Sequence, residues 1–361
     1  MIGNFFIDVC RKDIPLIFFV LILLLFDLNV NAAVNDVAIQ SEQLPKKLSE
    51  FGFFKDPVKQ IPVQNVIPYE LISPLFSDYA RKKRFVYVPI GKKAVHRTDA
   101  VYQFPIGTAL IKTFYYLDDE RNKESKSQLL ETRVLLRKEN GWDAASYAWD
   151  KETRDAELKI AGKTINSSWV NKEGELMNVR YRVPNKNQCQ ECHQSGDKLI
   201  PIGPKPRNLN KDLFYPKLGE RHNQLIFWLD KEIIDHYPDS IDRVVDWENT
   251  NEDIEDRARS YLAINCGHCH SNTGNASSSG LYLDFLEERP KQLGIYKKPV
   301  AAGRGSGNMK YSIVPGKPEK SILLYRMLSL DPGVMMPESG RALNHKEGIA
   351  LISSWIETMR R

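Results

Sequence analysis

From about Leu44 to Val183, apolar and polar residues alternate in short runs. Arg84-Phe85-Val86-Tyr87-Val88, Leu110 to Tyr116, Glu131 to Leu136, Ala156 to Ile160 and Val179 to Val183 carry the period of two that marks half-buried strands. Pro105-Ile106-Gly107 and Asn140-Gly141 supply turns between them. The pattern predicts a β-rich domain, a sandwich or partial barrel, with Trp142, Trp149 and Trp169 as core side chains. Pro201 to Pro206 is too rich in Pro and Gly for regular structure, and Gln224 to Leu229 reads as a helix. From about residue 250 the period becomes helical. Asn251 is placed to cap a helix, Glu252 and Asp253 suit its first turn, and Ile254, Ala258, Tyr261 and Leu262 recur at helical spacing. Pro318 suits the first turn of another helix. Asn344 with Glu347 resembles a capping box that opens a terminal helix striped by Ile349, Ile352, Ile356 and Met359. The expected class is therefore α+β. A β-rich domain over residues 34–215 precedes a mostly α-helical domain over 216–361.

The N-terminus departs from both periods. Arg11 and Lys12 precede an apolar run from Ile14 to Phe26, and Val30-Asn31-Ala32 offers small residues for cleavage. The run ends at Asp27, short of the ~20 residues that cross a bilayer. Residues 1–33 are thus expected to be a cleaved signal peptide, which sends the chain to the periplasm with no stable membrane span. Cys10 lies ahead of the apolar run and leaves with it.

The other four of the five cysteines form Cys189-Gln190-Glu191-Cys192-His193 and Cys266-Gly267-His268-Cys269-His270. Two C-x-x-C-H motifs mark two covalently attached haem c groups. The spacing puts both thiols of a motif on one side of a turn, where each can add to a vinyl group of one porphyrin. The following histidine, His193 or His270, then becomes the proximal iron ligand. Structural zinc is the competing reading, but a closed zinc site wants four ligands and each motif offers three. The formal net charge is +5, and two haems bring about four propionates that offset most of it. No nucleic-acid partner is read from this balance. Arg81-Lys82-Lys83-Arg84 and Lys297-Lys298 read as solvated faces, with docking of an acidic redox protein as the functional alternative. There is no strand-borne G-x-G-x-x-G, phosphate-binding loop or nucleophile elbow.

Several runs carry a resemblance. Cys266, Cys269 and His270, then Pro315 to Ser321, Met336-Pro337 and Trp355-Ile356 resemble a class I cytochrome c domain, with an insertion that includes Gly303 to Asn308. That resemblance implies a cytochrome c-like second domain with Met336 as sixth ligand of the second haem, Met335 being the alternative and Met327 a core residue. Ser73 to Ala80, Phe104 to Thr108, Val183-Pro184-Asn185 and Pro201 to Pro204 make the mature chain similar to an uncharacterised family of di-haem c-type cytochromes of Gram-negative bacteria. The family implies redox function without naming a substrate. For the first haem the distal position stays open between Met177, His222, His96 and no ligand at all. His268 is expected to face solvent, His236 to end a helix, and His345 has no assigned role. The expected function is periplasmic electron transfer with periplasmic redox proteins as partners, as a carrier or redox subunit more than a stand-alone enzyme. A di-haem peroxidase-like oxidoreductase with one haem open to substrate is the alternative.

Overall fold

A computed structural model describes residues 33–360 apart from 217 and 239. The expected signal segment lies outside the described residues. Six strands form one antiparallel meander in which each pairs with its sequence neighbour: β1 (Val66–Tyr69), β2 (Arg81–Tyr87), β3 (Ala109–Leu117), β4 (Ser127–Lys138), β5 (Gly141–Asp150) and β6 (Asp155–Leu158). A second antiparallel pair, β7 (Lys163–Val170) and β8 (Leu176–Val183), leads into helix α1 (Lys186–His193). Farther on comes α2 (Gln224–Asp230).

The alternation seen in the sequence sorts side chains between the two faces of the meander. Phe85, Ile111, Val134 and Tyr147 face one way and pack under Ile39, Leu48 and Phe51 of the N-terminal segment. On the other face, Val86 and Leu110 pack under Leu225 and Trp228 of α2. Phe114 and Tyr116 pack on that same face under Trp169 and Tyr181 of the β7–β8 pair. Between these two apolar clusters the face carries Arg84, Lys112 and Arg133, aligned directly across β2, β3 and β4.

The remainder of the chain gathers around Trp247, Tyr261, Ile352 and Trp355. Its helices are α3 (Ile254–Asn265), α4 (Ile322–Leu328) and α5 (Lys346–Thr358), of 12, 7 and 13 residues. The expected mostly α-helical, cytochrome c-like domain is therefore corrected. The chain is sheet-rich, with 28% strand and 21% helix and several antiparallel sheets. Between α3 and α4 the backbone runs through turns and single 3-10 turns at Ser277–Ser279, Gly303–Ser306 and Pro318–Lys320. Glycine, proline and serine recur there, and none of them sustains a helix interior.

The two parts are joined by Ser73 to Ala80. The Asp78 Oδ1 atom accepts hydrogen bonds from the Ala342 and Leu343 amides at 2.7 and 2.8 Å. The Tyr79 hydroxyl accepts from the Lys346 amide at 3.0 Å and lies 2.9 Å from Glu347 Oε2. Tyr79 thus caps α5 from across the molecule, the task expected of Asn344, whose side chain instead donates to the Leu328 carbonyl. Likewise Asp253, not Asn251, caps α3 by accepting from the Glu255 amide. Phe76 donates its amide to Asn265 Oδ1 at 2.8 Å and stacks on His345 with ring centroids 4.1 Å apart.

Candidate functional site

The first motif sits on α1. Asn185 Oδ1 accepts from the Gln188 amide and Gln188 Oε1 accepts from the Asn185 amide, a reciprocal cap that fixes the start of the helix. Cys189 and Cys192, three apart, fall on one helical face. A tight ribbon, Gln194–Ser195 against Lys198–Leu199, turns the chain back so that the Ile200 carbonyl meets His193 Nδ1 at 2.7 Å. A carbonyl can only accept, so Nδ1 carries the proton and Nε2 keeps its lone pair.

The second motif begins where α3 stops. The Cys266 and Gly267 amides both donate to the Leu262 carbonyl, and the His270 amide donates to the Cys266 carbonyl at 2.9 Å, which closes the motif into one turn. Gly274 lies on the back of that turn. A Cβ there would collide with the carbonyl oxygens of His268 and Cys269. His270 Nδ1 is 3.4 Å from Ser279 Oγ, whose only proton goes to the Ala276 carbonyl at 2.7 Å. The hydroxyl therefore accepts from His270 Nδ1, and again Nε2 keeps its lone pair. Holding one ring nitrogen with the protein's own acceptor is the usual way an imidazole is aimed at a metal.

The two motifs meet. The Gly196 amide donates to the Thr273 carbonyl at 2.8 Å, Ser195 Oγ and Thr273 Oγ1 are 2.8 Å apart, and Cys269 Sγ is 3.5 Å from the Glu191 carbonyl. Cys192 and Cys269 lie side by side. Their proximity lowers the pKa of Cys192 and raises that of Cys269. Burial pushes Cys189 up and Cys266 up to about 12. Both histidines are pulled down to about 4, chiefly because burial disfavours imidazolium.

All four cysteines and both histidines line one cavity of about 590 Å³. Its walls come from the meander, from the Pro201 to Pro204 loop and from the segment Met336 to Arg341. His193 keeps some accessible surface although protein surrounds it, because that surface faces the cavity. The residues present fit a porphyrin: paired thiols on an apolar cavity wall and an imidazole Nε2 from each motif. Among the described residues no three His, Cys, Asp or Glu side chains converge as a metal site. A haem iron draws four nitrogens from its own ring and asks the protein for only one or two ligands.

Met336 lines the cavity, whereas Met335 is 7% exposed and does not. The backbone of Met336 is held by its amide donating to the Arg326 carbonyl and by Arg341 donating to its carbonyl, each at 2.9 Å. Met327 belongs to the core around Trp355. The distal candidates for the first motif are not brought to it. His222 pairs with Glu220 on an exposed hairpin, His96 lies against His236, and Met177, on β8 opposite Trp169, packs against that cluster. His268, expected to face solvent, lines the cavity instead, with Nδ1 buried and without a hydrogen-bond partner among the described residues. His345 also lines it, boxed by Phe76, Tyr79, Trp247 and Tyr261. Trp149 and Trp169 are core residues, and Trp142 packs at the edge of the α2 cluster.

Sequence reasoning missed the meander's contribution to the wall. Arg84 was expected on a solvated face, yet it is 8% exposed and lines the cavity with Lys112 and Arg133. The signal was available in the period of two, which separates Arg81 and Lys83 from Lys82 and Arg84.

Comparison with protein-family models, with curated protein sequences and with solved structures finds no match. Among the described residues no helix is long and apolar enough to cross a membrane.

Proposed function

We propose that this chain is a periplasmic di-haem c-type electron-transfer protein, with haem joined to Cys189 and Cys192 and to Cys266 and Cys269. The observation that carries the reading is that both motifs open into one cavity, each with its histidine held through Nδ1. Bound haem supplies one-electron chemistry at iron. The chain's own residues do the rest. His193 and His270 offer Nε2 as proximal donors. Met336 offers a thioether that favours ferrous iron and so raises the potential of the second site. The meander and Ser73 to Ala80 supply cavity wall, the latter through the apolar Leu75 and Phe76. Partners would be periplasmic redox proteins that exchange single electrons with the site.

The test is expression with c-type maturation machinery, followed by a pyridine haemochrome count and intact mass of the exported chain. Two haems per chain are expected. A bare peptide mass with four free thiols refutes the proposal. The peroxidase-like alternative predicts a high-spin haem on half-reduction and rapid peroxide turnover. A carrier shows neither.

A further inference from the structure

We infer that Arg84, Lys112 and Arg133 form a single anion site on the cavity wall, which takes a carboxylate or another small oxyanion. The inference deepens the proposal above and rests on it for one source of the anion, since a porphyrin carries carboxylates of its own. A free oxyanion entering the cavity would have the same chemistry.

The three cations are direct cross-strand partners, Arg84 with Lys112 and Lys112 with Arg133. Side chains so placed start about 5 Å apart, and like charges there repel. All three line the cavity beside the first motif. The pull of Arg133 reaches the Cys189 thiol, and the charge of Lys112 reaches His193. The row lies between two apolar clusters, and the one ion pair made by its members is that of Arg133 with Glu131, among the described residues.

One acid stands on this face, Glu131, engaged through Oε1 alone, with Oε2 buried and without a hydrogen-bond partner among the described residues. Its Oε1 accepts from Arg133 Nε at 2.9 Å, from Arg133 Nη2 at 2.5 Å and from the Tyr181 hydroxyl at 2.5 Å. Arg84 and Lys112 have no ion pair or side-chain hydrogen bond among the described residues. Lys112 and Arg133 share the Phe114 ring, at 4.7 and 4.4 Å from its centroid. A ring quadrupole softens a cation but does not neutralise two of them. Burial lowers the pKa of both Arg84 and Lys112, the sense expected of cations that lack a counter-charge. Buried charges persist when paired, and the pairing group missing from this wall is an anion.

The experiment uses the haem-loaded protein, its Lys112→Met and Arg84→Gln variants, and Lys112→Arg as the conservative control. Haem per chain is counted first. Redox-difference infrared spectra in the carboxylate region and an anaerobic redox titration follow, with and without acetate or sulfate, anions that do not compete for iron. If the haem's carboxylates occupy the row, Lys112→Met shifts a carboxylate band and lowers one of the two potentials. Lys112→Arg then restores both, and added acetate changes nothing. If the row serves a free oxyanion, acetate or sulfate shifts one potential saturably in the wild type, and Lys112→Met weakens that response at least tenfold. A row that is merely hydrated shows neither the band shift nor a saturable anion effect, and the inference is overturned. If no haem is attached, the functional proposal fails and the anion site is judged on the bare chain. A saturable rise in its thermal midpoint with acetate or sulfate, lost in Lys112→Met, sustains the site, and a flat response in both chains overturns it.

Discussion

Replacing Asp78 tests whether the two parts of the molecule are held by a specific bond set or by general packing. The Asp78 carboxylate accepts from the Ala342 and Leu343 amides and belongs to a residue at φ 51°, in the left-handed region. Asp78→Ala removes one acceptor and leaves two amides without a partner, at ~1–3 kcal/mol each. It also puts alanine where Asp and Asn are better tolerated, for about another 1 kcal/mol. With some relief from inward water, the expected loss is about 3–5 kcal/mol. Asp78→Asn keeps an oxygen for both amides. Burial raises the pKa of Asp78 more than the two amides and Arg341 lower it, so the charge itself is not what stabilises the joint. The Asn variant should therefore stay within about 1 kcal/mol of wild type. The sign of the pH dependence follows. The folded pKa lies above the unfolded one, so the contribution of Asp78 falls as pH rises from 3.8 through the raised value, and Asp78→Asn lacks that slope. Urea unfolding gives the free energies, and hydrogen exchange at Ala342 and Leu343 localises them. An Ala variant within 1 kcal/mol of wild type, or an Asn variant as damaged as the Ala variant, would refute the reasoning.

Met336→Ala should abolish the near-infrared sulfur-to-iron band of the loaded protein and lower one potential, while Met335→Ala should leave both. The reverse result reassigns the ligand. His345, 10% exposed in its side chain and boxed by aromatic rings, has its pKa lowered to about 4 by burial. The unfolded chain takes up that proton first, so stability from His345 is complete above about 6.5 and is lost as pH falls toward 4, by up to ~3 kcal/mol. Unfolding curves of His345→Asn from pH 4 to 7 should be flatter than wild type by that amount, and parallel curves would remove His345 as the cause. Gly274→Ala forces a methyl against the carbonyls of His268 and Cys269. It should cut haem attachment at the second motif, read by mass spectrometry of the corresponding peptide, and leave the first motif loaded.

The two motifs were legible because Cys189 to His193 and Cys266 to His270 are each contiguous in sequence, whatever packs around them. Strand positions were legible for a similar reason: Leu110 to Tyr116 and Val179 to Val183 carry their period of two in consecutive residues, and both lie within strands. What stayed unread depends on what covers a residue. Four consecutive cations at Arg81 to Arg84 read as solvated, and only the fold of distant segments over β2 puts Arg84 on a cavity wall. Asn344 has the spacing of a cap, but Tyr79 reaches that helix end first. The helices at Ile254, Ile322 and Lys346 all form, but the resemblance to a cytochrome c domain implied more helix than the Gly-, Pro- and Ser-rich stretch between α3 and α4 can sustain.

Ser73 to Ala80 and the cation row lead to the same conclusion about organisation. Phe76 binds the end of α3 at Asn265, directly ahead of the second motif, and Asp78 and Tyr79 bind the start of α5 at Leu343 and Lys346. Arg84, a few residues later on β2, faces the cavity beside the first motif. A single stretch of chain therefore sets the position of one motif relative to the other, and neither motif is lodged in a self-contained half. Separating the halves would expose the apolar part of the cavity wall to water, which a soluble domain tolerates poorly. Coupling between the two sites then follows from how the wall is built, because a perturbation of β2 reaches both motifs through side chains that touch the same cavity.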